Sequence, residues 1–228
     1  MFESYRGIFA IKGAVNFSIA GFVARMHLSM DRLALMLIII HETKSYALAG
    51  LMVALASLII TLSQPYWSRA ADKYGQSRVL YLNTIFRLIG FTFFILLVNL
   101  HSPVWTWFIA IVAAEINTVS VGGLVRRRWI NLLPDPKLKT AAYSFEALAD
   151  EIVFVIGPII TVALSTAIAP SAGLIASLTF AVIGQPWLAR LKETEPPIET
   201  KLDISPKVSI IKRRSTQAII LPILFVGA

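Results

Sequence analysis

Ionisable side chains recur inside long apolar stretches of this chain: Arg25, His27, Asp31 and Arg32 in one, Arg87 in another, Glu115 in a third. Such a group in hydrocarbon costs about 2.5 kcal/mol or more, so its default role is to face a cavity or a partner. Arg32 follows Arg25 by seven residues and returns to nearly the same helical face, whereas His27 and Asp31 are spaced i,i+4 on another. Histidine titrates near neutrality and a carboxylate one turn away can hold its ring, so His27 and Asp31 could form a proton-coupling pair. Equally, Asp31 could neutralise an arginine from a neighbouring span. Arg25 reads as a cavity residue, with a buried structural pair as the alternative.

Glu115 stands in the middle of its stretch with Asn117 close by, and Arg87 lies about 13 Å into its own. A midplane carboxylate can carry a proton or cation because exchange of a bound solute changes its protonation. A static Glu115–arginine bridge holding two spans together is the competing reading. In a later stretch Glu146 and Asp150 are one turn apart on one face, with Glu151 adjacent. A helix beginning near Thr140 puts them within reach of Arg126, Arg127 and Arg128, at the end of the preceding stretch. Acids favoured in a first turn by the helix dipole are the plainer alternative, although Asp150 and Glu151 lie too deep for that.

The elements that must hold these groups follow from composition. Hydrophobic residues make up 57% of the 228 and charged residues only 15%, whereas a soluble domain carries about 25% charged residues. This is a membrane protein. The net charge of +8 does not mark a nucleic-acid binder, because the basic residues sit between apolar runs. Without cysteine there is no disulfide framework, thiol nucleophile or cysteine-ligated metal, and the scattered histidines form no metal site. No metal or cofactor is expected, and without a G-x-x-x-x-G-K-[ST] loop ATP-driven transport has no support.

About 20 apolar residues cross a bilayer core. Complete spans are expected at about Gly13–Ile40, Ser45–Tyr66, Val79–Leu100, Val104–Val125, Thr140–Ala169 and Ser171–Ala189. The first carries Arg25 and Asp31 and is too long for a signal peptide's apolar core, so it reads as a permanent span. Arg6 and Lys12 precede it. Arg69, Lys73 and Arg78 lie between the second and third spans, Arg126–Arg128, Lys137 and Lys139 between the fourth and fifth, and a further basic group follows the sixth. The opposite loops hold Lys44 alone. Cationic loops stay in the cytoplasm, which predicts a multi-pass protein of the cytoplasmic membrane with its N-terminus inside. Residues 1–189 thus read as a six-helix domain and 190–215 as a charged, proline-punctuated cytoplasmic linker. Residues 216–228 are too short to cross and read as the start of a seventh span.

In the loop after the second span, Ser68–Leu80 reads SRAADKYGQSRVL. Asp72, Lys73, Gly75 and Arg78 match a loop motif of the major facilitator superfamily; Ser68 replaces its first glycine, and Gln76 and Ser77 stand where basic residues are commoner. Gly75 permits a tight turn with positive φ, Asp72 could accept from a helix N-terminus or pair with an arginine, and Lys73 and Arg78 anchor the loop at the interface. The chain resembles the N-terminal half of such a transporter. The resemblance implies an all-α bundle of six complete helices, as 3+3 inverted repeats, plus a partial seventh. It also implies that Asp72 helps latch the two halves in one state; from the residues themselves, Glu146, Asp150 and Glu151 with Arg126, Arg127 and Arg128 are expected to form a cytoplasmic cluster that makes and breaks during alternating access. The alternative for the loop is a solvated basic turn enforcing topology. Gly157 and Pro158, in Ile156–Leu164, are similar to an element of proton-coupled exporters, but Ile160, Thr161 and Val162 replace its later glycines. A kink or close packing point is expected there in either case.

The function expected from the resemblance is secondary active transport of a small solute, proton-coupled, with membrane lipids around it and no enzymatic activity. Arg25 and Arg32 lean toward an anionic or zwitterionic solute. Two alternatives stand beside it: a half transporter that needs a missing C-terminal half or a homodimer, and a membrane-embedded enzyme acting on lipids. The tryptophans near span ends, Trp67, Trp105, Trp107, Trp129 and Trp187, read as interface anchors.

Overall fold

Serine at position 45 and the Asp135–Pro136 pair are strong helix starts, and the chain uses both. Ser45 Oγ accepts from Leu48 N at 3.2 Å, and Asp135 Oδ1 accepts from Lys137 N at 2.9 Å with Pro136 in the first turn. The computed structural model describes residues 2–198, within one compact unit, Met1–Ile198. Its eight α-helices are α1 (Phe2–Phe9), α2 (Ala14–Thr43), α3 (Tyr46–Tyr74), α4 (Gln76–Asn99), α5 (Val104–Glu115), α6 (Val121–Leu132), α7 (Pro136–Ala167) and α8 (Ala172–Arg190), followed by a 3₁₀ turn, Lys192–Thr194. The expected seventh span, and the linker from residue 199 on, lie outside the described residues.

Four helices, α3, α4, α7 and α8, are long and apolar enough to cross a membrane. At 30 residues, α2 is about 45 Å long, but Arg25, Asp31 and Arg32 lower its apolar content. The expected fourth span, Val104–Val125, is not continuous. It divides into α5 and α6, 12 residues each, and Ser120 starts the new helix, its Oγ accepting from Gly123 N at 3.3 Å. Six complete spans were expected; among the described residues four helices have the length and composition to cross.

Gly75, at φ 94, is the one residue between α3 and α4; a side chain there would be strained. α2 runs through the bundle against α8, α7, α3 and α6, and α4 packs on α5 and α8. Small residues set the closest approaches. A Cβ at Gly184 of α8 would fall on the Ala24 backbone of α2, and one at Gly90 of α4 would stand 2.5 Å from Ala114 Cα of α5.

The buried apolar residues form two main clusters. One, around Phe17, Leu80, Val125, Trp129 and Leu188, lies toward the Gly75 turn, here called the basic end. The other, around Leu35, Phe91, Ile111 and Leu178, lies toward the α2–α3 and α4–α5 hairpins. Between them α2, α4 and α8 bury polar residues: Arg25, His27 and Asp31; Asn83, Thr84 and Arg87; Ser177 and Gln185.

Candidate functional site

Three helices deliver the central charges. Gly90, one turn from Arg87, lets α4 close onto Ala114, and the next residue, Glu115, meets the guanidinium. Arg87 Nη1 donates to Glu115 Oε2 at 3.1 Å and Nη2 to Oε1 at 3.4 Å. Nη2 also pairs with Asp31 Oδ2 of α2. Ser177 Oγ of α8 donates to Asp31 Oδ1, Thr118 Oγ1 donates to Glu115 Oε2 at 2.7 Å, and the Phe91 ring lies 5.1 Å from the guanidinium carbon. Asp31, Arg87 and Glu115 are 4%, 1% and 1% exposed. Two carboxylates therefore share one buried guanidinium. A cavity of about 170 Å³ opens beside them, lined also by Arg32, Gln64 and Phe154. Arg32 is exposed, and its charge acts on both carboxylates.

A second network lies about 9 Å along α2, six residues toward its N-terminus. Arg25 Nη2 pairs with Glu146 Oε2 at 2.7 Å and Nη1 with Asp150 Oδ1 at 2.8 Å, both on α7. Its Nε donates to Gly21 O at 3.0 Å. Trp129 Nε1 donates to Glu146 Oε1 at 2.8 Å, and Arg126 meets Asp150 Oδ2 at 2.5 Å. Arg25 and Glu146 are buried.

At the basic end the three consecutive arginines of α6 part company, as successive steps of about 100° around a helix require. Arg126 goes to α7, and Arg127 pairs with Asp72 of α3. Arg128, fully buried, donates to Gln76 Oε1 at 2.9 Å, Leu188 O at 3.0 Å, Leu191 O at 2.8 Å and Thr194 Oγ1 at 2.9 Å. Just beyond, Glu195 accepts from the Ser77 amide at 2.9 Å and the Ser77 hydroxyl at 2.5 Å. A linker carboxylate thus occupies the N-terminus of α4, where the helix dipole favours it. Lys73 lies over its neighbour's ring, Tyr74, at 5.0 Å, and Arg78 is exposed beside Glu195.

Several expected partnerships are replaced. His27 and Asp31 do not pair: His27 Nδ1 bonds Ala24 O at 2.6 Å, since Asp31 is taken by Arg87 and Ser177. Arg25 pairs with the two acids that α7 brings to it. Only Arg32 of the two arginines lies open to a solute. Of the expected basic-end cluster, Glu146 and Asp150 join Arg25 and Arg126, Arg127 goes to Asp72, Arg128 meets no acid directly among the described residues, and Glu151 is exposed outside the cluster. Gly157 lies where a Cβ would fall on the Ser29 side chain of α2, and Ser29 Oγ donates to Val153 O at 2.9 Å, one turn before Gly157 and Pro158. Trp129 and Trp107 are core residues, 0% and 4% exposed, not interface anchors. Ser177, Thr118, Asn83 and Glu195 escaped the sequence reading: single small polar residues in apolar runs, and one acid among several in the linker, carry no spacing signal.

The family model described as Major Facilitator Superfamily matches residues 17–228. No curated protein and no solved structure matches the chain.

Proposed function

The chain belongs to the major facilitator superfamily, and from that premise we propose that it moves a small solute across the cytoplasmic membrane by alternating access, coupled to protons through Glu115. The family consists of transporters, and the protein is a multi-pass membrane protein. The observation that carries the coupling proposal is the buried trio: Asp31 and Glu115 compete for Arg87. One proton on Glu115 releases half of the guanidinium's hold and leaves the trio neutral. An anionic or zwitterionic solute entering beside Arg32 would draw that arginine's charge away from the carboxylates and favour the proton. Charge and solute occupancy are thereby linked.

In this proposal α2, α3, α4, α5 with α6, α7 and α8 are the six spans, and the basic end faces the cytoplasm, supported by the lysines and arginines gathered there. The Asp72–Arg127 and Asp150–Arg126 contacts, half-exposed, are the ones that exchange during opening, whereas the buried Arg25–Glu146 pair holds α2 to α7 throughout. A second six-span half, or a second copy of this chain, closes the open side that carries Arg32 and Glu151. Light scattering in detergent distinguishes one copy from two.

The test of coupling is solute-induced proton movement. Membrane vesicles carrying the chain are exposed to a panel of small anionic and zwitterionic solutes while a pH-sensitive dye is followed. The proposal predicts a signal in the wild type that Glu115→Gln removes without lowering the inserted amount. A signal retained in Glu115→Gln moves the coupling site elsewhere.

A further inference from the structure

Glu115 ends α5, and α6 begins only at Val121, so the chain unwinds directly after the carboxylate. Backbone released from a helix inside a bilayer must find partners within the protein, because hydrocarbon supplies none. Two side chains from neighbouring helices supply them. Trp67 Nε1 of α3 donates to Ile116 O at 2.8 Å, and Asn83 Nδ2 of α4 donates to Asn117 O at 2.6 Å. Inside the turn, the Thr118 hydroxyl reaches back to Glu115 at 2.7 Å. Asn83 is 1% exposed, and a leucine of similar size would avoid burying its amide. Beyond the turn, α6 is a short rod whose arginines are fastened to α7, α3 and α4.

We propose that Asn83 and Trp67 are positioning residues for Glu115: by holding the carbonyls of Asn117 and Ile116 they keep the helix open beside the carboxylate, so that a change of charge there shifts α6 and its contacts at the basic end. The role rests on the reading of Glu115 as proton carrier. In a continuous helix the carboxylate and the three arginines would move as one body, and local rearrangement at Glu115 would be resisted along its whole length. The charged groups acting on Glu115 are Arg87 from α4 and Asp31 and Arg32 from α2. The cavity residues of α3 and α7 beside it, Ile60, Gln64 and Phe154, are uncharged, and α8 presents Ser177 to Asp31.

The chain has no cysteine, so Asn131→Cys, on the exposed end of α6, creates a single labelling site. The full chain is reconstituted in liposomes of phosphatidylcholine and phosphatidylglycerol, and the maleimide labelling rate, corrected for the thiol's own ionisation, is measured against pH. The expected result is a several-fold step in the wild-type background. Glu115→Gln, Asn83→Leu and Trp67→Phe each flatten the step, and Asn83→Gln restores part of it. Trp67→Phe keeps an aromatic ring while removing the Nε1 donor with part of the indole, the mildest of these changes. A step of unchanged size in both Asn83→Leu and Trp67→Phe, with Glu115→Gln flat, overturns the positioning role; labelling raised equally at every pH, the sign of mere loosening, does the same. A step that survives Glu115→Gln removes the proton-carrier reading and this role with it.

Discussion

Arg87 sets one nitrogen 3.1 Å from Glu115 and the other on Asp31, so a single guanidinium from α4 ties α2 to α5 in the middle of the bundle. Arg87→Met leaves two carboxylates facing each other without the cation that bridges them. Removing one partner of a buried ion pair destabilises by about 3–5 kcal/mol, and the variant should unfold correspondingly earlier in detergent. Arg87→Lys, a point charge that cannot fork, should fall between. A methionine variant as stable as wild type would mean that the carboxylates are already neutral.

The two ends of the second network differ in burial, and this ranks their variants. Arg25 is 1% exposed against a fully buried Glu146, whereas the Arg126 side chain is 39% exposed. Arg25→Met should destabilise by about 3–5 kcal/mol. Arg126→Met and Arg127→Met should each lose about 1 kcal/mol or less, since exposed pairs contribute little. Thermal unfolding of the three variants side by side checks the order, and equal losses would contradict it.

Gly184 packs against the backbone of Ala24, not against a side chain that could swing away. Gly184→Val should therefore lose at least about 1–3 kcal/mol through overpacking, with α2 and α8 separating first in hydrogen exchange. Gly50, with nothing within 4 Å, is the control: Gly50→Ala should be neutral or slightly stabilising as a helix substitution.

Glu195 caps α4 from the linker through the Ser77 amide. Glu195→Ala should cost about 0.5–2 kcal/mol, the range of a lost N-terminal cap, read as faster amide exchange confined to the first turn of α4. Unchanged exchange there would show that the linker leaves the turn without consequence.

What was legible in the chain was the class of each charge, and what was not was its partner. The apolar runs marked helices because hydrocarbon demands internally satisfied backbone, and Asp31, Arg87 and Glu115 stood out because charge in such runs is expensive. Periodicity orders residues around one helix and says nothing about which helix comes to that face. Hence the i,i+4 spacing of His27 and Asp31 suggested a pair, while Arg87, 56 residues away from Asp31, took the carboxylate. For Arg25 both a cavity role and a buried pair stood open for the same reason, since Glu146 and Asp150 are brought to it only by the packing of α7. Of the break after Glu115 only the restart at Ser120 had a signal in the chain, a weak one within an apolar run that by length alone makes one span.

The proton on Glu115 can be observed without knowing the solute. Infrared difference spectra of the reconstituted chain, taken between acid and neutral pH, report the carbonyl stretch of a protonated buried carboxyl and its shift in deuterated water. The band should be present in the wild type, vanish in Glu115→Gln, and persist, displaced, in Asp31→Asn. A band unaltered by Glu115→Gln and lost in Asp31→Asn would contradict the assignment and make Asp31 the proton carrier.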